Sequence, residues 1–208
     1  MKSRTTGVPA LVLGAAAILL TPGVAPAQSL SGAALVTALQ HGGYVIVMRH
    51  ASSPREAPSK ESADADNTKA ERQLDAEGRA SATAMGKALR DLKIPIGDVL
   101  SSPTYRAFET ARYAQLGTPQ SVPELGDNGR SMQGGTPAQA AWLRQRVTQF
   151  PARTNTILIT HLPNIADAFP EMASGLADGE ALIFGPNGAG GAKLVARVKI
   201  EEWPRLRP

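Results

Sequence analysis

The amino-acid sequence predicts an α/β fold: a three-layer sandwich in which helices flank a mainly parallel central sheet. Short apolar runs rich in β-branched residues, such as 44–48 and 156–159, have the composition of strands buried on both faces. Segments with helical spacing separate these runs, and alternating strands and helices are typical of parallel sheets with crossover connections. The last two runs, 181–184 and 194–200, flank a glycine-rich turn and predict a hairpin that adds an antiparallel edge.

The first 27 residues have the pattern of a cleavable secretory signal, so residues 28–208 are predicted to form the folded domain. Two basic residues precede an apolar stretch over 8–20, and Ala25-Pro26-Ala27 matches a cleavage site. The apolar stretch is short for a membrane span, which needs about 20 residues. We therefore expect a periplasmic or secreted protein with no stable membrane association after cleavage.

Composition excludes several classes of function. The chain has no cysteine, which excludes disulfides, thiol catalysis and cysteine-bound metal. Its formal charge of +4 includes two cations of the predicted signal, and no Lys/Arg-rich run is present that would bind nucleic acid. The remaining length suits one domain with a substantial core.

The first predicted strand ends in Arg49 and His50, after a short helix within 28–42. His41, at the end of that helix, is explained by the favourable helix dipole. A buried apolar strand has no structural need to end in Arg-His, and open α/β sheets bind ligands at this edge. Arg49 and His50 are therefore candidate ligand-binding residues.

A polar tract over 51–73 follows directly, with almost no large apolar residues. Structureless segments longer than about 12–15 residues are uncommon in compact domains and are usually lids, binding loops or disordered. Because this one begins at His50, we predict a lid or substrate-contacting loop, and Arg55 is a candidate substrate contact.

The next segments predict a helix capped by Asp75 that runs to about Leu92, and then a short strand at 99–100. Ser102 is a suitable N-cap and Pro103 a suitable first residue for the following helix. Arg106 then lies in or beside the first turn, where the helix dipole disfavours a cation unless an anion is close. Arg106 is therefore a candidate anion ligand.

The second half of the chain again contains a buried strand that ends in a polar residue and is followed by a helix start. A weak strand over 120–125 precedes an acidic stretch, and a capping-box pattern begins at Thr136. Another buried strand ends in His161, and Pro163 can begin a helix that continues to about Met172. The carboxyl edge of the sheet is thus predicted to collect His50, His161, Arg49, Arg106 and a carboxylate from Glu124 or Asp127.

Phosphoryl transfer uses this set of side chains best. Guanidinium groups match phosphoryl oxygens bidentately, an imidazole is a competent nucleophile near neutral pH, and a carboxylic acid can protonate the leaving group. Two arginines and one imidazolium would supply the positive charge that metal ions supply elsewhere. A zinc site is disfavoured because two arginines would repel the ion, and the G-x-S-x-G pattern of serine hydrolases is absent.

Four motifs resemble those of the histidine phosphatase superfamily, which also contains the cofactor-dependent phosphoglycerate mutases. Val47-Met48-Arg49-His50 resembles its RHG motif, residues 101–111 its SSPxxRxxxTA motif, and Thr160-His161 with Asn164-Ile165 its second-histidine motif. The segment 73–79 also looks like the family's LTxxGRxQA helix start. Together with the last strands, the resemblance spans nearly all of the chain beyond the signal.

The resemblance implies that His50 forms a phosphohistidine and that Arg49, Arg106 and His161 bind the phosphoryl group, with no metal or other cofactor. Two departures are present. The glycine that follows the family's first histidine is Ala51 here. The general acid is either Asp127, which aligns with the family's position, or Glu124, which has the family's residue type.

The sequence thus predicts an exported phosphomonoesterase that acts on a phosphorylated small molecule or a phosphoprotein. Two alternatives stay open: a phosphohistidine protein phosphatase, and a phosphate-binding module without turnover. A mutase is disfavoured because export separates the protein from cytosolic substrates.

Overall fold

The structure is a computed structural model that describes residues 29–127 and 135–208. The predicted signal lies outside these residues, so cleavage and export stay predictions. The described part of the chain contains six strands and six α-helices. The strands are β1 (Val45–Arg49), β2 (Ile96–Ser101), β3 (Gln120–Ser121), β4 (Asn155–Thr160), β5 (Ala181–Pro186) and β6 (Ala192–Val198). The helices are α1 (Gly32–His41), α2 (Ala76–Asp91), α3 (Tyr105–Tyr113), α4 (Pro137–Arg146), α5 (Leu162–Ala168) and α6 (Pro170–Ala173).

The strands form one mixed sheet in the order β3-β2-β4-β1-β5-β6. The pairs among β3, β2, β4 and β1 are parallel, whereas β5 is antiparallel to both β1 and β6. The predicted α/β fold and its antiparallel terminal hairpin are therefore confirmed. β1 lies in the middle of the sheet, so its carboxyl end is surrounded by other elements.

Side chains of the central strands alternate between two hydrophobic cores. On β1, Ile46 and Met48 pack in one core and Val45 and Val47 in the other, and each is at most 1% exposed. The first core also takes residues from α1, α2 and α3, and the second takes residues from α4, α5 and α6. This arrangement gives the three predicted layers, because a strand that is buried on both faces requires helices on both sides.

Several predicted helix ends are confirmed by their caps. The Asp75 side chain accepts a hydrogen bond from the Gly78 N–H at 2.7 Å. Thr136 and Gln139 form a reciprocal capping box at the start of α4. Such caps satisfy N–H groups that have no partner within the helix.

Two predicted elements differ from the structure. The strand predicted over 120–125 is only Gln120–Ser121, and Pro123 begins a short 3₁₀ turn, Pro123–Leu125, because proline has no N–H for a sheet ladder. The helix predicted from Pro163 to Met172 is divided into α5 and α6. The break is at Phe169 (φ −139°, ψ 66°), since the following proline disfavours helical geometry in the residue before it.

Within residues 29–127 and 135–208, no helix has both the length and the hydropathy needed to cross a membrane.

Candidate active site

The register of two central strands brings the two buried histidines together. Arg49 on β1 is paired with Thr160 on β4, and His50 and His161 each follow directly. The His50 N–H donates to the Thr160 carbonyl at 3.0 Å, which extends the ladder by one step. The two imidazole centroids are 5.3 Å apart with an interplanar angle of 61°. This spacing lets both rings contact one tetrahedral anion, as the sequence predicts.

The tautomer of His50 is fixed by its neighbours. Nδ1 lies 2.8 Å from the carbonyl oxygen of Ala51, and because a carbonyl can only accept, Nδ1 carries the proton. Nε2 therefore has the free electron pair, and it accepts from Arg106 Nε at 3.2 Å. The ring thus directs the nitrogen with the free electron pair toward the predicted phosphate-binding arginine.

Ala51, which replaces the family's glycine, fits this turn without strain. It is fully buried, and its N–H donates to Thr110 Oγ1 at 3.1 Å. It is not among the described non-glycine residues with positive φ, so it has no need of glycine's conformational freedom.

Arg106 is the centre of the site. Its guanidinium donates to His50, to His161 Nδ1 at 3.1 Å and to Asp127 Oδ2 at 2.5 Å. The residue is 4% exposed and lies in the first turn of α3, as predicted. One buried cation therefore connects both imidazoles and the candidate acid.

Three side chains from other elements hold the backbone that precedes Asp127. Thr160 Oγ1 donates to the Leu125 carbonyl at 2.7 Å. Gln139 Nε2 and Asn164 Nδ2 both donate to the Gly126 carbonyl at 2.8 Å. Asp127 is consequently held at the end of a short irregular segment, and its side chain is 7% exposed.

The other carboxylate candidate is placed elsewhere. Glu124 lies in the 3₁₀ turn and makes no hydrogen bond or ion pair to Arg106 or to either histidine within the described residues, whereas Asp127 pairs with Arg106. The structure thus brings Asp127 to the site and leaves Glu124 outside it.

Ser102 forms a hydrogen bond with His161 and is not the N-cap of α3. The N-cap of α3 is Thr104, which corrects the predicted cap at Ser102. Ser102 Oγ lies 2.8 Å from His161 Nε2 and also accepts from the Thr104 N–H at 3.2 Å. Because Arg106 can only donate to His161 Nδ1, the neutral ring carries its proton on Nε2 and donates it to Ser102. Arg106 therefore fixes the tautomer of His161, and the Ser102 hydroxyl accepts the proton of that tautomer.

The site geometry keeps both imidazoles neutral at pH 7. Burial, and then the positive charge of Arg106, lower the pKa of His161 to about 3. Burial, followed by the repulsion of His161 and Arg106, also lowers the pKa of His50 well below its usual value. In this anion-free arrangement neither ring is the imidazolium expected for phosphoryl transfer, because a ring nitrogen that accepts from Arg106 cannot also hold a proton.

Arg49 forms an ion pair at the edge of the cavity. Its Nη2 is 2.6 Å from Asp178 Oδ1, and its Nη1 donates to the Leu176 carbonyl at 3.3 Å. Its Nε is buried and has no hydrogen-bond partner among the described residues. Asp178 was not predicted; it lies just before β5, in a turn with no distinctive pattern.

The two histidines open into a cavity of about 610 Å³. Three of the predicted cations line it, namely Arg49, Arg55 and Arg106, and an unpredicted one, Arg72, joins them. Its remaining lining residues are Ser53, Leu162, Pro163, Ala166, Asp167 and Asp178. The volume is well within the range of pockets that bind small molecules, about 300–1,000 Å³.

No cluster of three or more His, Cys, Asp or Glu side chains suited to a metal ion is found in the described ranges.

The fold and this geometry define an α/β protein in which two imidazoles and two guanidiniums meet at the carboxyl edge of the sheet. The family model of the histidine phosphatase superfamily (branch 1) matches residues 45–153, which is more than half of the chain. The chain therefore belongs to the histidine phosphatase superfamily. A comparison with curated proteins finds no match.

Solved structures confirm the fold. The protein histidine phosphatase SixA complexed with tungstate has a TM-score of 0.55 and 19% identity, over 76% of this chain and 98% of that one. The product of the open reading frame Rv3214 from Mycobacterium tuberculosis has a TM-score of 0.51 and 16% identity, over 73% and 95%. Phosphoserine phosphatase from Entamoeba histolytica, in complex with 3-phosphoglyceric acid, has a TM-score of 0.51 and 14% identity, over 74% and 95%.

Proposed function

We propose that this protein is a metal-independent phosphomonoesterase that forms a phosphohistidine on His50. The observation that carries the proposal is the orientation of His50, whose Nδ1–H is bound to the Ala51 carbonyl and whose Nε2 faces Arg106. A neutral imidazole with a fixed tautomer is ready to attack phosphorus. Membership of the superfamily supports the same chemistry.

In the first step, Nε2 attacks phosphorus as the P–O bond to the leaving group breaks. Arg49, Arg106 and His161 bind the phosphoryl oxygens, and their charge and hydrogen bonds stabilise the transition state. The departing oxygen takes the bond's electron pair and a proton from Asp127. In the second step, water gives its proton to Asp127 and attacks phosphorus, and the P–N bond breaks to release phosphate and neutral His50.

Substrate binding can prepare Asp127 for this role. In the structure its carboxylate pairs with Arg106 at 2.5 Å. A phosphoryl group bound to Arg106 would compete for the same N–H donors and repel the carboxylate, which favours its protonated form. The same anion would raise the pKa of His161, and the second ring would then become the imidazolium expected from the sequence.

Phosphohistidine protein phosphatase activity is the second candidate, and the Arg106–Asp127 pair is the observation that favours it. A carboxylate held as an ion by a buried arginine is a poor acid, and cleavage of a P–N bond places less demand on a proton donor than release of an alkoxide. The solved structure of the protein histidine phosphatase SixA has the same fold. The substrate would then be a phosphoprotein.

In the experiment, the enzyme is mixed with an aryl phosphate and the reaction is stopped rapidly without acid. The mass of the intact protein is then measured to detect an added phosphoryl group. We expect a phosphoenzyme that is stable to base and labile to acid, turnover that survives a chelator, and loss of both in His50→Ala. His41→Ala is the matched control, because His41 is exposed, lies outside the cavity and donates to the Thr37 carbonyl of its own helix. Full turnover in His50→Ala would refute the assigned nucleophile.

Two further outcomes distinguish the alternatives. Faster turnover of a phosphohistidine peptide than of small esters would select the phosphohistidine phosphatase. Anion binding without any phosphoenzyme would instead select a binding module. We also propose export through residues 1–27, which the mature amino terminus of the protein from a fractionated cell would test.

A further inference from the structure

The two arginines of the family motifs are each already paired with a carboxylate. Arg49 contacts Asp178 at 2.6 Å, and Arg106 contacts Asp127 at 2.5 Å. Both histidines are neutral near pH 7 for the reasons given above. These residues offer many hydrogen-bond donors to a phosphoryl group. Before an anion binds, however, these four residues bring little net charge to the cavity, and a further unpaired cation would strengthen its attraction for a phosphoryl dianion.

Arg72 has the properties that this role requires. It lines the cavity and is half-buried. Among the described residues, no carboxylate lies within ion-pair distance of it. Its Nε donates to the Pro54 carbonyl at 2.6 Å and its Nη2 to the Ser53 carbonyl at 3.2 Å. Carbonyl oxygens orient the guanidinium without neutralising it, and Nη1 makes no hydrogen bond to the described part of the chain.

The electrostatic surroundings of Arg72 also indicate an anion. Burial, and then the positive charge of Arg106, lower the pKa of Arg72, and the carboxylates of Asp127 and Asp178 offset this only in part. Its charged form is therefore held in unfavourable surroundings, although arginine stays protonated at neutral pH. An anion bound between the two guanidiniums would relieve this repulsion.

The loop that carries Arg72 is attached to the helix that carries Arg106. On one side, the Tyr105 N–H donates to Glu71 Oε2 at 3.0 Å, and on the other, the Leu74 N–H donates to Glu109 Oε2 at 2.7 Å. The side chain of Asn67 is buried and closes the loop with two hydrogen bonds to the Glu71 backbone. Arg72 is thus held in a defined position relative to α3, which lowers the entropy cost of binding.

From this geometry we infer that Arg72 is a further phosphate-binding residue, and that its unpaired charge makes the cavity favour a phosphoryl dianion over a monoanion. The inference deepens the proposed function and rests on it for the identity of the anion. It also assigns a role to the 51–73 loop: this segment is an anchored wall of the phosphate site.

Two tetrahedral oxyanions of similar size test the inference without any turnover: tungstate, a dianion, and perrhenate, a monoanion. Their dissociation constants are measured by calorimetry at one pH and one ionic strength. We expect the wild type to prefer tungstate, and Arg72→Gln to reduce that preference about tenfold, the size of one charge-assisted hydrogen bond. General damage to the site would weaken both anions equally and leave their ratio unchanged.

Two variants complete the design. Arg72→Lys keeps the charge and is expected to retain most of the preference for the dianion. Arg153→Gln is the control, because Arg153 is exposed and lies outside the cavity. An unchanged tungstate-to-perrhenate ratio in Arg72→Gln would overturn the inference. Because the readout is binding, an enzyme that binds tungstate through Arg72 but releases no phosphate would refute only the proposed function.

Discussion

The substitution Asp127→Asn separates what the Arg106–Asp127 pair contributes to stability from what it contributes to anion binding and catalysis. The two side chains are 5% and 7% exposed and contact at 2.5 Å, so the substitution leaves a buried guanidinium without its carboxylate. Removal of one partner of a buried ion pair typically costs about 3–5 kcal/mol. We expect a value near the lower end, about 3 kcal/mol, because the asparagine carbonyl and both imidazoles can still accept from Arg106.

Such a loss is readily measured by thermal unfolding. For a chain of this size, about 3 kcal/mol corresponds to a decrease of roughly 6–12 °C in Tm. Inorganic phosphate should bind the variant about tenfold more tightly than the wild type, because Arg106 is no longer shared and a repelling carboxylate is gone. The variant should therefore be less stable alone and recover more stability when phosphate is added.

Catalysis should change in a way that depends on the leaving group. Loss of a general acid typically reduces the rate about 10²–10⁴-fold. We expect a loss of that size for an alkyl phosphate and a much smaller loss for p-nitrophenyl phosphate, whose leaving group needs no proton. Asp98→Asn is the control, since Asp98 is 61% exposed and 3.9 Å from its partner Arg146. A variant that melts like the wild type and binds phosphate no more tightly would refute the reasoning about the pair.

Three other perturbations follow from the structure. The pKa of His161 falls to about 3 on folding, so the unfolded chain binds more protons than the folded one between about pH 6.5 and pH 3. The free energy of unfolding should therefore decrease as the pH falls through this window. His161→Gln should flatten that decrease, as measured by urea unfolding. Ser102→Ala removes the buried acceptor of the His161 Nε2–H, and we expect a fall of about tenfold in kcat together with a Tm lower by several degrees, because the buried donors lose their partner. Ser102→Thr keeps the hydroxyl and should retain more activity than Ser102→Ala. Gly86→Ala would place a Cβ 1.8 Å from the Ala114 carbonyl, so α2 and α3 would have to separate; we expect a loss of more than about 2 kcal/mol, and unchanged unfolding would contradict this close packing.

The residues at the strand ends could be predicted from the sequence because their signals are local. Two apolar runs with the composition of buried strands end in polar residues, Arg49-His50 in one and His161 in the other. Parallel strands place their carboxyl ends at the same edge of the sheet. The antiparallel hairpin also has a local signal, namely alternation around a glycine-rich turn. The fold could therefore be predicted from short segments of the sequence, without knowledge of contacts between distant residues.

The other site residues depend on contacts between distant segments. Asp127 reaches Arg106 through hydrogen bonds from Gln139, Thr160 and Asn164 to the backbone before it, and no periodic pattern encodes those bonds. Ser102 obeys the usual N-cap preferences, but the hydroxyl of Thr104 is equally suitable and His161 engages Ser102. In both cases the tertiary contact decides between options that are locally equivalent.

Arg72 was missed because the 51–73 loop has no periodicity from which to position a side chain. The signal for this loop lies instead on the helix that holds it. Glu109 is three residues after Arg106, on the same face of an amphipathic helix, and is 1% exposed. A carboxylate buried there needs hydrogen-bond donors from another segment. The Leu74 N–H is one of them, and this contact brings the end of the loop to the cavity.

The pairing of Arg49 with Thr160 has a consequence for how this architecture diversifies. The two imidazoles follow paired strands at the centre of the sheet, whereas Arg55 and Arg72 reach the cavity from a connecting segment. Exchanges in that segment would change the wall of the cavity without moving the facing rings. The shape of the cavity can thus vary independently of the register that sets the two histidines.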